Sequence, residues 1–447
     1  DNADVADVQP NYAYTFTGTE TDQADPYLAK DESGNPVVGP LYYQYSIDQL
    51  NAFDAWTAVE ESDAYKNDNY EPTKVTVIDS GVDAKHEDLQ ANLNKDAYRM
   101  VSKNKIVKYD KDNYVHGTHV SGIIGATYNN GLGVAGIAAG HNNNLCELNV
   151  ICASADGDML YTSDIITAIR YACDTQGARV INMSFGSYAR DYVTERVIRT
   201  YYDKGVVFVA ASGNDMTDVY STPGSLKEVI SVNASNVNSE PAYFSDYGVH
   251  TDVTAPGNNI MSTIPSGYVL MSGTSMASPA TAAVVCLMLD AEPKLTPAQV
   301  YNILAATASN TANDKDFSEY TAYGIVDAKK AVDAALEASV SRGIESFKFK
   351  EQEQYMFQGE YDGMEFVTLP ATALIDSDEI EWSSSDRDIV SVDEYGYVTA
   401  KAPGTATITA KCDGCKDTCT IEVAPVESID SMDVYSADGL IPGADAD

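Results

Sequence analysis

"KVTVIDSGVD", residues 74–83, begins as an apolar run and breaks at an aspartate followed by Ser80 and Gly81. Val75, Val77 and Ile78 give the near-continuous pattern of a strand buried on both faces, not the alternation of a strand with one wet side. Such a strand needs helical crossovers to cover it, and the flanking sequence supplies them. "HGTHVSGIIGAT" (116–127) has helical spacing, and "ELNVICA" (147–153) reads as a second buried strand. "SDIITAIRYACDTQGA" (163–178) is a helix with Gly177 placed to stop it. Strand "RVINMS" (179–184), helix "VTERVIRTYYDKG" (193–205) and strand "VVFVAA" (206–211) continue the alternation. The expected fold between about 73 and 335 is α/β, a parallel sheet with helices on both faces. Its ligands should bind where strands end and helices begin.

Composition narrows the function classes. The chain has 447 residues, of which 28 are Lys or Arg and 67 are Asp or Glu, a net charge of −39. That surface repels phosphate backbones and anionic lipid heads, so no nucleic acid and no membrane insertion are expected. It would keep a secreted protein soluble, and attraction of basic substrates is the alternative reading. The apolar run "ATAAVVCLML" (280–289) is about half the ~20 residues of a membrane helix and fits a buried one. The start, Asp1 to Asp4, lacks the basic and apolar regions of a signal peptide, as a processed secreted chain would. Seven cysteines cannot all pair within one chain. Cys173 and Cys286 sit in apolar helical patterns as buried thiols. Cys412, Cys415 and Cys419 straddle a turn where one cross-strand disulfide could form, and with no fourth ligand nearby they do not read as a zinc site.

After about 338 the pattern changes. Short alternating segments, "IVSVD", "YGYVTAK", "TATITAK" and "CTIEVA", are separated by Gly, Pro and Asp. These predict a small antiparallel all-β sandwich over 340–425. Residues 426–447 read as an acidic linker or tail.

Three segments at the expected strand ends carry chemistry. "TVIDSGVD" places Asp79 just after a buried strand, "NYVHGTHVSG" places His116 in the first turn of a helix, and "MSGTSMASPA" places Ser275 at the start of a long apolar helix. A hydroxyl nucleophile needs a base, and the base needs a carboxylate to fix its tautomer and stabilise the imidazolium. His119 lies on the same helix as His116, but no H-E-x-x-H spacing exists, so the pair does not read as half a metal site. "GTSMA" lacks the final glycine of a G-x-S-x-G elbow, which disfavours an α/β-hydrolase.

At these motifs the chain resembles the subtilisin-like serine peptidases, in which Asp, His and Ser follow in this order. The resemblance covers about 73–335, within an expected peptidase domain at 21–337. It implies Asp79 as orienting acid, His116 as general base and Ser275 as nucleophile. "VFVAASGND" resembles the oxyanion segment. There Asn214 would donate to the oxyanion, with Ala211 and Gly213 among the substrate-binding residues. "INMSFGS" resembles the strand that pairs with substrate and implies Ser184, Phe185 and Gly186 along the cleft. "YGIVDAKKAV" (323–332) is similar to the family's closing helix. The implied activity is that of an endopeptidase acting on protein or peptide substrates through an acyl-enzyme. The opposing reading is a catalytically silent scaffold, against which the four intact chemical positions count.

The resemblance extends to accessory features. "HEDL" puts Asp88 where the family's calcium site takes an aspartate, and "YNNGLGV" resembles its calcium loop, offering Asn130. Hard oxygen donors suit calcium. Gln44 falls out of register with the family's glutamine ligand, and no organic cofactor is implied. "VADVQPNYAYTF" (5–16) looks like the last strand of an inhibitory propeptide, so residues 1–20 are expected to be a propeptide remnant, with processing between about 17 and 40. "WSSSDRDIVSVDEYGYVTAKAPGTATITA" (382–410) resembles the bacterial immunoglobulin-like repeat of group 2, a module of secreted and surface proteins. Secretion or display on a bacterial cell surface is the expected location. The loop 215–225 is expected to line the S1 pocket, where Asp215, Asp218 and Tyr220 leave basic and bulky apolar P1 residues both open.

Overall fold

The computed structural model describes residues 43–95, 98–108, 114–154, 159–309, 318–338, 343–373, 375 and 379–425, together with the backbone of 13–16 and 19–23. The expected tail at 426–447 lies outside these residues, as does most of the expected remnant at 1–20.

Two N-terminal strands, β1 (Ala13–Phe16) and β2 (Thr19–Gln23), precede the main sheet. The sheet is built from β3 (Thr73–Asp79), β4 (Arg99–Ser102), β5 (Lys105–Lys108) and β6 (Cys146–Cys152). The short strands β7 (Met159–Tyr161) and β9 (Phe185–Gly186) lie apart from it. The sheet is completed by β8 (Val180–Met183), β10 (Val207–Ala211), β11 (Val229–Ser235) and β12 (Val253–Pro256). Its order is β12-β11-β10-β8-β3-β6-β4-β5, parallel except for the β4–β5 edge. A hairpin of β13 (Ile260–Ile264) and β14 (Gly267–Ser272) follows.

Alternation along the strands feeds two cores. Val75, Val77, Val150, Val180, Val207 and Val209 face one cluster. Ile78, Ile151, Ile181, Phe208 and Ala210 face the other. The first is covered by α1 (Tyr45–Gln49), α2 (Ala52–Glu61), α3 (Val115–Gly125), α6 (Thr274–Ala291), α7 (Pro297–Thr307) and α8 (Ala328–Glu337). The second is covered by α4 (Thr162–Tyr171) and α5 (Tyr192–Tyr202). Strands buried on both faces thus have helices on both faces, as the apolar runs require. Every residue of α6 is buried inside this unit, although by length and hydropathy alone it is apolar enough to cross a bilayer. The helix expected at 323–332 begins only at Ala328, because the Asp327 side chain accepts from the Lys330 N–H and caps it there.

The chain forms two compact units, 1–350 with 365–376, and 351–364 with 377–447. A two-stranded ribbon, β15 (Ser346–Phe349) with β18 (Phe366–Leu369), groups with the first unit. Just after β15, Lys350 is buried between Asp252 and Glu365, 2.7 Å from each. Burial pushes the Asp252 carboxyl up to about 7, and the two carboxylates hold the Lys350 ammonium charged.

The second unit is all-β. It contains β16 (Glu353–Phe357), β17 (Tyr361–Gly363), β19 (Glu381–Ser384), β20 (Val390–Val392), β21 (Tyr397–Ala400), β22 (Gly404–Cys412) and β23 (Cys415–Ala424). They make a four-stranded sheet, β16-β23-β22-β19, and a three-stranded sheet, β17-β21-β20. One pairing departs from the antiparallel expectation: β16 runs parallel to β23. Hairpin spacing in the sequence cannot reveal a strand that joins from a distance.

Candidate active site

Asp79 is the last residue of β3 and is fully buried. Its Oδ1 and Oδ2 lie 2.9 and 3.0 Å from His116 Nδ1, and Oδ1 also accepts from the Ser80 N–H at 2.6 Å. Two acceptors on Nδ1 mean that this nitrogen carries the proton, leaving Nε2 as the basic position. The imidazole is 12% exposed, on the second residue of α3. Gly117 permits the approach: a Cβ there would collide with the Gly81 carbonyl and lie 2.9 Å from Asp79 Oδ1.

Ser275 is the second residue of α6, fully buried, and its Oγ donates to the Ser184 carbonyl at 3.0 Å. Pro279 explains part of its anchoring. Proline has no N–H, so the carbonyl of residue 275 loses its helical partner. The Ser184 hydroxyl supplies a substitute, donating to the Ser275 carbonyl at 3.0 Å. Behind it, Asn182 Nδ2 donates to Ser184 Oγ, and Ser278 Oγ donates to Asn182 Oδ1. The β8–β9 segment and the start of α6 are therefore tied at both hydroxyls.

Asn214 follows β10. Its Oδ1 accepts from the Thr274 N–H at 2.9 Å and from Thr274 Oγ1 at 3.0 Å. With the oxygen engaged twice, the Nδ2 donors are the end left for a ligand. Gly213, at φ 130°, could not be replaced freely, since a Cβ would strike the Asp246 carboxylate.

The residues expected along the cleft divide by role. Ser184 and Ala211 are buried supports, and Gly186 is partly open. The Phe185 side chain points into the second core cluster, so only its backbone faces the cleft. There β1 lies between β9 and β7, antiparallel to both, with Thr15 opposite Gly186, Phe16 opposite Phe185 and Tyr14 opposite Leu160. Beyond the cleft, β2 pairs with β14, Thr19 opposite Ser272.

In the loop 215–225, Asp215 is held by the Tyr188 hydroxyl, which also donates to Asp246 at 3.2 Å. Asp246 Oδ1 in turn accepts from the N–H groups of Asp215 and Thr217. Burial raises the Asp246 carboxyl and, with the two carboxylates, raises the Tyr188 phenol. Tyr220 faces the His250 ring, and the Arg190 guanidinium lies 4.4 Å over its ring. Ser221 lies behind Gly186, where a Cβ on the glycine would come within 2.8 Å of its Oγ. Tyr188, Ser221 and Asp246 carry no motif, and the sequence offers no signal for them.

Asp88 is fully buried; Oδ1 accepts from Asn130 Nδ2 at 2.7 Å and Oδ2 from the Val134 N–H at 3.0 Å. Burial raises its carboxyl. Gln44, set aside on register, reaches the end of the same loop, exchanging two hydrogen bonds with the Ala135 backbone. Among the described residues no group of three or more His, Cys, Asp or Glu side chains is arranged to hold a metal.

His119 is bonded instead to the β13–β14 hairpin. Its Nε2 lies 3.0 and 3.1 Å from the carbonyls of Ile260 and Val269, and burial drives its basicity down to about 3.

Residues 71–326 match the subtilase family, and residues 361–422 match the bacterial Ig-like domain of group 2. The matches fall on the α/β region and the all-β region, in the order that the sequence patterning gives. The chain is 38% identical over 247 residues to the thermophilic serine proteinase of Bacillus sp. strain AK1, covering 55% of this chain and 57% of that protein. It is 37% identical over 240 residues to the cell wall-associated protease of Bacillus subtilis, covering 53% and 26%. Subtilisin DY of Bacillus licheniformis is 34% identical over 279 residues, 61% of this chain and 93% of that protein. The chain thus spans about half and about a quarter of the length of the first two.

Proposed function

The chain belongs to the subtilase family, and on that premise we propose that it is a secreted serine endopeptidase acting through Asp79, His116 and Ser275. The observation that carries this is the bifurcated contact of buried Asp79, at the C-terminal end of the central strand β3, with His116 Nδ1, together with Ser275 in the first turn of α6. Ser275 Oγ attacks the scissile carbonyl while His116 Nε2 takes its proton, and Asp79 stabilises the imidazolium. Asn214 Nδ2 and the Ser275 N–H receive the oxyanion, with the N-terminus of α6 adding its dipole. His116 then protonates the leaving amine, and water releases the acyl group by the same steps in reverse. Substrate backbone pairs with β9 and β7, so main-chain hydrogen bonds set its register. A fluorophosphonate probe should label Ser275 and nothing else. A mature protein that stays unlabelled sinks the proposal.

Maturation by removal of an N-terminal propeptide, which blocks the cleft until it leaves, is part of the same reading. β1 occupies substrate-pairing strands on one side of Ser275, and Thr19 of β2 pairs with Ser272 on the other. Self-processing between β1 and β2 is the cleavage that these two pairings suit. N-terminal sequencing after incubation should find a new start at 17, 18 or 19, absent from Ser275→Ala. A start elsewhere, or cleavage in the Ser275→Ala chain, rejects self-processing at this point. Extracellular or surface location is supported by the acidic surface, the Ig-like domain and the cell wall-associated relative.

Calcium fits the Asp88 loop as a structural ion. The donor chemistry is that of hard oxygens, the buried Asp88 carboxylate with the carbonyls of the same loop, while Asn130 turns Nδ2 to Asp88 and Oδ1 to the Leu132 N–H and would have to rotate its amide to offer oxygen. The ion would offset the burial of Asp88 and take no part in the chemistry. Millimolar calcium should raise Tm over a chelator-treated sample in the wild type and not in Asp88→Asn. Equal Tm values in the wild type argue against the ion.

A further inference from the structure

We propose that Cys412 and Cys415 are a reversible dithiol–disulfide pair closing the tip of the β22–β23 hairpin. The two strands hold unbroken antiparallel register from Gly404 opposite Val423 to Cys412 opposite Cys415. Asp413 and Gly414 join them at φ 51° and 81°, the two-residue turn with both central residues left-handed that matches strand twist. Directly opposed residues in such a ladder have Cα atoms about 4.5–5.5 Å apart. Disulfides span about 4.4–6.8 Å. Opposed residues also share a face of the sheet, so both Cβ atoms leave on the same side.

Cys419 shares that face but stands opposite Ile408. Four steps along the strand separate it from Cys415, about 13 Å at ~3.3 Å per residue, which no disulfide bridges. The register therefore selects one pairing among three. Cys412 is buried and Cys415 is partly exposed. Burial, with Asp413 and Glu379 nearby, raises the Cys412 thiol, and Cys415, the more exposed of the two, is the one a solvent reagent meets first. Its thiolate attacks a low-molecular-weight disulfide, forming a mixed disulfide and releasing one thiolate. Cys412 then loses its proton to solvent, attacks the Cys415 sulfur and expels the second. Two protein thiols are oxidised to one disulfide, and one small disulfide is reduced to two thiols. The turn already holds the ends together, so the bond removes little chain entropy. Its occupancy follows the surrounding thiol–disulfide potential instead.

The test is independent of the peptidase reading and uses the full Ser275→Ala chain to avoid self-digestion. Folded protein is exposed to oxidised glutathione, quenched in acid, unfolded, alkylated and cut with trypsin. Lys411 and Lys416 bracket a fragment, 412–416, that isolates the two cysteines from Cys419. That fragment should lose two hydrogens and both alkylation sites, reversibly with dithiothreitol, while the Cys419 fragment alkylates fully. Cys412→Ser should instead accumulate a glutathione adduct at Cys415. A fragment that remains doubly alkylated overturns the proposal, as does a stable adduct in the unsubstituted chain. Cross-linking of 412–416 to Cys419 or to a second chain does the same.

Discussion

α3 carries two histidines three residues apart, and the fold uses them in opposite ways. Toward β3, His116 meets a carboxylate, both oxygens of Asp79 lying within 3.0 Å of Nδ1. Toward β13 and β14, His119 meets two backbone carbonyls. A carboxylate on the imidazole is the arrangement that the proposed general base needs. Carbonyls in a buried site only accept from a neutral ring, so His119 acts as a fixed donor tying α3 to the β13–β14 hairpin. Neighbouring hydroxyls reinforce that tie: Ser262 Oγ donates to the His119 carbonyl and Thr263 Oγ1 to the Thr118 carbonyl. Residue type and helix are shared. The acceptor opposite each ring decides between chemistry and architecture.

The sharpest way to break this contrast is to remove each ring in turn. His116→Ala should lower kcat on the order of 10⁶-fold, the scale already known for loss of the base or nucleophile in subtilisin itself, with a near-native Tm. His119→Ala should leave kcat of the folded fraction within a few fold. Turnover on a peptide ester, with active-site titration to count folded enzyme, separates the two. Equal losses of kcat would place His119 in the chemistry. The next effect in size belongs to Asn214, whose oxygen is bound by Thr274 and whose nitrogen is the donor we propose for the oxyanion. Asn214→Ala should lower kcat about 10²–10³-fold with KM little changed, again the range known for this donor in subtilisin. A change confined to KM would mean that Asn214 binds the ground state instead.

Much of this was legible in the chain because the strand ends and motif residues are local. Val75–Ile78 announce a doubly covered strand, and Asp79 follows directly. His116 and Ser275 each lie in the first turn of a readable helix. What escaped depends on contacts made over long separations. Lys350 sits in "FKFK", an alternating pattern in which a lysine reads as solvent-facing, yet it is buried against Asp252 and Glu365. No local signal says that the ribbon it follows groups with the first unit. Tyr188 and Asp246 reach Asp215 from opposite directions along the chain. Phe185 lies in the segment that resembles the substrate strand, but alternation could not say that its side chain turns into the core. Gln44, out of register with the family's glutamine in sequence, reaches Ala135 just before α1, a contact over 91 residues that no local pattern signals.

The smallest effect tests the architectural half of the contrast. His119→Gln keeps an N–H donor for the two carbonyls while removing the titrating ring. Burial lowers the His119 pKa from 6.5 to about 3 in the folded chain. Between those values the unfolded state binds a proton that the folded state refuses. The stability that comes from keeping His119 neutral is therefore complete above about pH 6.5. It falls as pH drops toward 3, by about 1.4 kcal/mol per unit. Urea unfolding of the Ser275→Ala chain at pH 7 and pH 5 measures this against the same pair in the His119→Gln background, so other carboxylates cancel. The wild-type ring should show the steeper loss on acidification by about 2 kcal/mol over that interval. Parallel slopes would mean that His119 is protonated in the folded state, and a buried imidazolium between two carbonyls would then need a role of its own.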